Sequence, residues 1–115
     1  MNLSVFLFLI LYSLIIVDCK DLPSTFNSYR EAETIIASAS WKIKDRVDCS
    51  KSIWILEASF YSCDGNEGYF LMKTKEGRFY LHKDVPKSLW IQFKEAGSFG
   101  TFYNSYFKGK YQIRI

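Results

Sequence analysis

A single histidine, His82, and three cysteines leave this 115-residue chain little material for a metal centre or a nucleophilic triad. There are only two prolines and the net charge is only +3, so neither a proline-rich scaffold nor a charge-expanded disordered chain fits. No Lys or Arg precedes the first hydrophobic run, no Asp or Glu follows Glu95, and no segment repeats another. Apolar surface is what the chain has in quantity: 49% of residues are hydrophobic and 18% aromatic, enough for one modest core. The length admits one domain and is too short for two.

The run from Leu3 to Val17 consists of apolar residues and small hydroxyls, and Asp18, Cys19 and Lys20 end it. As a helix it would span about 22 Å at ~1.5 Å per residue, short of a hydrocarbon core of roughly 30 Å. It therefore reads as the apolar part of a signal peptide over residues 1–19, implying export to the periplasm, envelope or exterior. No stable membrane span is expected after cleavage. Val17-Asp18-Cys19 places a small residue last, as a signal peptidase accepts. Two other readings stay open. The Ile-Val-Asp-Cys sequence is similar to the box before a lipid-modified cysteine in bacterial lipoproteins, and an uncleaved run would serve as an anchor.

From Lys20 to His82 the chain carries nine residues of each charge sign, so the basic excess lies wholly between Lys83 and Ile115. Lys108, Lys110 and Arg114 concentrate it. Such an end suits phosphate, acidic lipid or an acidic protein, and equally suits a solvated helix terminus. With Cys19 removed, Cys49 and Cys63 form an even pair, which in an exported chain suggests a disulfide. Distance opposes it: fourteen extended residues at about 3.3 Å each would part the thiols by about 46 Å, unless the chain doubles back.

Helical periodicity runs from Thr25 to Ala39, with Ser28 and Glu31 spaced as a capping box and Ala32, Ile35, Ile36 and Ala39 on one face. Lys42 to Ser50 is polar and reads as a linker. Strands are predicted at Ile53–Ser62, with a bulge near Ile55-Leu56, at Tyr69–Lys75 and at Phe79–Lys83. Asp64-Gly65-Asn66 and Glu76-Gly77 supply the turns. Pro86 suits the first position of a helix that carries Leu89, Trp90 and Phe93 inward, and Gly97 suits a left-handed cap at its end. Ser98 can cap a second helix with the aromatic face Phe99, Phe102, Tyr103, Tyr106 and Phe107, which Gly109 closes. Tyr111, Ile113 and Ile115 alternate as a short final strand. The fold class is α+β: a small antiparallel sheet of three to four strands packed against two C-terminal helices, preceded by an N-terminal helix.

Three motifs now stand in order: Gly77-x-x-Tyr80-x-His82-x-x-Val85-Pro86, Ala96-x-Ser98-x-Gly100-x-x-Tyr103-Asn104 and Lys108-Gly109-Lys110-Tyr111. The series resembles the KTSC domain, a module found alone in bacterial proteins and at the C-terminus of some lysyl-tRNA synthetases. The likeness runs from about Ser52 to Ile115, dividing the chain into residues 1–19 (signal), 20–51 (helix and linker) and 52–115 (domain). Where the family's central strand has Tyr-x-Tyr, this chain has Tyr80-Leu81-His82, and Phe107 stands where isoleucine is common. The family's function is unestablished; its synthetase context implies RNA binding.

Chemistry finds few footholds. No elbow or triad spacing surrounds Cys63, Ser98 or Tyr80 as a nucleophile for His82. The cysteines lack the close pairs of a zinc site, so no metal or cofactor is expected. Gly97-Ser98-Phe99-Gly100 lacks the ending of a phosphate loop. No catalytic residue is assigned. The candidate binding residues are Tyr80, His82, Lys108, Lys110, Tyr111 and Arg114, joining the family's central motif to the basic excess. The expected function is a non-catalytic binding module of the envelope or exterior, its partner a protein or anionic polymer. A nucleic-acid-binding module with weak, salt-sensitive RNA binding is the alternative, and an enzyme using His82 the third reading.

Overall fold

The computed structural model describes residues 17–113. The expected signal segment up to residue 16, with Arg114 and Ile115, lies outside them. Val17 to Cys19 are tied to Ser40 from the start: Ser40 N–H donates to Val17 O at 2.9 Å and Cys19 N–H to Ser40 O at 3.1 Å. A 3₁₀ turn follows at Cys19–Asp21, its Lys20 amide held by the Asp18 carboxylate.

Helix α1 spans Tyr29–Ser38. Ser28 Oγ accepts the Glu31 amide at 3.1 Å, while Glu31 reaches back to the Asn27 amide at 2.7 Å, one residue beyond the Ser28 amide of the usual reciprocal pair. Lys44 Nζ donates to Ala37 O at 2.8 Å and satisfies a carbonyl at the other end.

The predicted linker is a strand. β1 (Ile43–Asp48) pairs antiparallel with β2 (Ile55–Ser62), followed by β3 (Glu67–Thr74) and β4 (Phe79–Pro86) in the order β1-β2-β3-β4. Lys44, Arg46 and Asp48 alternate with half-buried Ile43, Asp45 and Val47, so the strand carries charge along one side as edge strands do. The pairing of β2 with β3 shifts register between Ile55 and Glu57, at the bulge expected from the sequence. A second irregularity puts one extra residue in β4, where Asp84 takes a φ of 57°. Gly68 is required by proximity, because a Cβ there would lie 2.0 Å from Tyr61 O.

Helices α2 (Lys87–Lys94) and α3 (Phe99–Tyr106) cover one face of the sheet. Pro86 is the N-cap of α2 rather than its first residue, and Ser98 Oγ caps α3 through the Thr101 amide. Gly97 is not in the left-handed region. Phe60, Phe70, Met72 and Val85 meet Trp90, Phe93, Tyr103 and Phe107 in the main core. Trp90 stacks on Phe60 with ring centroids 5.6 Å apart. Its indole N–H reaches Asp45 at 2.9 Å, and Lys94 pairs with the same oxygen at 2.6 Å. Lys94 above all holds the Asp45 carboxyl below its ordinary pKa. The opposite face is sealed by α1, whose Ala32 and Ile36 pack with Phe26 on Tyr61, Leu71 and Leu81. The α+β expectation therefore holds, with the N-terminal helix as a second layer.

The cysteine pairing differs from expectation. Cys63 is bonded to Cys19, with Cα atoms 5.8 Å apart, and Cys49 is free and buried. Cys49 follows β1, and its amide donates to Leu56 O near the start of β2, whereas Cys63 follows the end of β2. The sheet thus keeps those two thiols at opposite ends of one strand. Burial pushes the Cys49 thiol up to about 12, leaving it a small apolar filler.

Candidate functional site

His82 alternates with Tyr80 on β4, and both point toward the helical core. His82 is fully buried. Its Nδ1 lies 3.0 Å from Lys110 O, which can only accept, so Nδ1 carries the proton. Nε2 then accepts from the Tyr103 hydroxyl at 3.1 Å. Desolvation lowers the His82 pKa and raises that of Tyr103 to about 12, so this pair is neutral. The ring packs edge-on against Phe70 and Phe107. Both nitrogens are engaged in holding the protein together. Of the nucleophiles considered beside it, Cys63 is in the disulfide and Ser98 caps α3.

After α3 the chain turns at Gly109, φ 77°, and returns along the free side of β4. Lys83 N–H donates to Tyr111 O and Ile113 N–H to Leu81 O, both at 2.9 Å, while His82 and Gln112 form an isolated bridge. The expected final strand is reduced to that bridge among the described residues. Of the six candidate binding residues, the fold thus gathers His82, Lys110 and Tyr111, largely through the backbone. Tyr80 is half-buried beside Tyr103, Lys108 is exposed on the turn, and Arg114 lies outside the described residues. Tyr80 and His82 form no open stacking surface.

A groove of about 500 Å³ lies elsewhere, between the residues before β2 and the start of α3. Lys51, Ile53 and Trp54 form one wall, and Ser98, Thr101 and Asn104 contribute to the other. Ile53 is 94% exposed at its lip. The walls close on each other at Gly100, where a Cβ would sit 2.6 Å from Trp54 Nε1. Trp54 also meets Tyr103 edge-on at 5.8 Å. The lining offers an ammonium, an indole N–H, hydroxyls and an amide, and no carboxylate. It can hold a ligand by hydrogen bonds and apolar contact, and brings together no acid–base pair. Reading the sequence, Ser98 and Gly100 pass as a helix junction; the isoleucine directly after the polar run Ser50-Lys51-Ser52 was the one available signal.

A smaller cavity of about 220 Å³ borders the disulfide, between Trp41, Tyr69 and Asp84. Asp18, Cys19 and Cys63 are grouped there, but the sulfurs are bonded to each other, leaving one carboxylate as a ligand.

A small α+β domain with a four-stranded antiparallel meander and paired C-terminal helices is the class these elements define. Residues 73–111 match the family model of the KTSC domain. The match takes in β4, α2, α3 and the returning segment as far as Tyr111, and leaves α1, β1, β2 and most of β3 outside it. No curated protein and no solved structure matches the chain.

Proposed function

We propose that this protein is a non-catalytic binding module that works in the cell envelope or outside the cell, and that the groove at Trp54 and Ser98 holds its ligand. The groove is the observation that carries the reading: it holds about 500 Å³ and combines an exposed aliphatic lip with unengaged donors. Trp54 Nε1 has no hydrogen-bond partner among the described residues. The Leu3–Val17 run and the Cys19–Cys63 bond support an exported life.

Backbone NMR of the purified protein, titrated with short peptides, oligosaccharides and oligonucleotides, tests the reading. Binding is expected to move amides of Lys51–Trp54 and Ser98–Asn104 together, and Ile53→Asp is expected to weaken it at least tenfold. A ligand whose shifts gather on Lys108–Ile113 and spare the groove would overturn the assignment. The nucleic-acid reading rests on exposed Lys108 and Lys110. It has no aromatic platform at Tyr80 and His82, so it stands second.

A further inference from the structure

We propose that Cys19 is a residue of the finished protein, kept by export processing and oxidised onto Cys63, and therefore neither removed with the signal nor acylated. The proposal rests on the exported reading above and adds the chemical fate of one side chain. Three observations join in it. Cys19 and Cys63 stand 5.8 Å apart at Cα, inside the range a disulfide spans. Cys49, the other thiol, is buried at the far end of β2 and cannot serve Cys63 as a partner. The residues beside Cys19 are also part of the fold, since Val17 O and Cys19 N–H both bond to Ser40 and Asp18 holds the Lys20 amide.

A cut after Cys19 would discard one sulfur of the bond and leave Cys63 as a half-exposed thiol beside Trp41 and Tyr69. Lipid modification would join a diacylglyceryl group to the same Cys19 sulfur through a thioether, so the two modifications exclude each other. The cut consistent with the fold lies before Cys19, and one before Val17 preserves every bond to Ser40. In forming the bridge, two thiols lose two protons and two electrons. A disulfide of a thiol-oxidising exchange catalyst takes them and becomes a dithiol.

Intact-mass and N-terminal analysis of the full chain expressed with export, combined with thiol alkylation, decides the matter. The expected exported protein contains an unacylated Cys19 and a Cys19–Cys63 peptide pair. It takes up no alkylating reagent while folded and one equivalent, at Cys49, once denatured without reductant. Cys19→Ala and Cys63→Ala should each add one alkylated thiol on the folded protein, and Cys49→Ala none. An exported chain beginning at Lys20, or one with an acyl group on Cys19, overturns this inference and leaves the exported reading standing. A full-length chain confined to the cytoplasm with three reduced thiols overturns both.

Discussion

His82 shows how burial turns a reactive side chain into a structural one, and the cost becomes visible as pH falls. Its folded pKa lies below the ordinary 6.5 because burial disfavours the imidazolium. The unfolded chain therefore takes up the proton first. The stability contributed by neutral His82 is complete above about pH 6.5 and is lost as pH falls toward the folded value. Denaturation midpoints measured from pH 7.5 to 5 should decline, and His82→Phe should remove that part of the decline. The variant strands the Tyr103 hydroxyl and Lys110 carbonyl, at about 1–3 kcal/mol for each group left unsatisfied. Trp90 is the other decisive residue, 1% exposed, stacked on Phe60 and bonded to Asp45. Trp90→Ala should cost about 3–5 kcal/mol in a denaturant titration. An unmoved midpoint would put the ring outside the core. Alternation made it legible that Tyr80 and His82 share a face. Which face is inner depends on where α2 and α3 pack, and no local pattern states that.

Elements were legible where their ends carry chemistry. Ser28 and Ser98 announce α1 and α3, and the change of face near Leu56 announces the bulge. β1 was hidden because its outward residues are all charged, which gives an edge strand the composition of a linker. The groove was hidden for another reason: its walls are more than forty residues apart in sequence, joined only when Trp54 settles on Gly100. Gly100→Ala should force the indole aside at about 1–3 kcal/mol, read as a lower melting temperature and altered Trp54 fluorescence. The returning C-terminal segment is the third element to test. A chain ending at Phe107 loses the partners of His82 Nδ1, Lys83 N–H and the Leu81 carbonyl. Amides of β4 should then exchange with solvent markedly faster than those of β2.

At the scale of the molecule, the sheet is closed on both faces, and the disulfide fastens the N-terminal layer to the turn after β2. Closing a loop with sequence separation 44 restricts the unfolded chain by about 4 kcal/mol in the chain-entropy treatment. Reduction should therefore lower the denaturation midpoint and let α1 leave Tyr61, Leu71 and Leu81, detectable as binding of a hydrophobic dye. For nucleic acid, single-stranded RNA should bind weakly and lose affinity steeply with salt. Replacing Lys108 and Lys110 with Gln should flatten that slope by about two counterions' worth. Tight binding at physiological salt would promote the second functional reading.

The same covalent link divides the molecule under tension. Pulled from its two ends, the oxidised chain transmits force across Cys19–Cys63, so α1, β1 and β2 lie in a bypassed loop that bears no load. Only the residues outside that loop can be drawn out. Cutting the link frees the 44-residue separation, adding about 150 Å of reach at roughly 3.3–3.6 Å per residue. A force spectrometer would register the redox state of this small protein as a length.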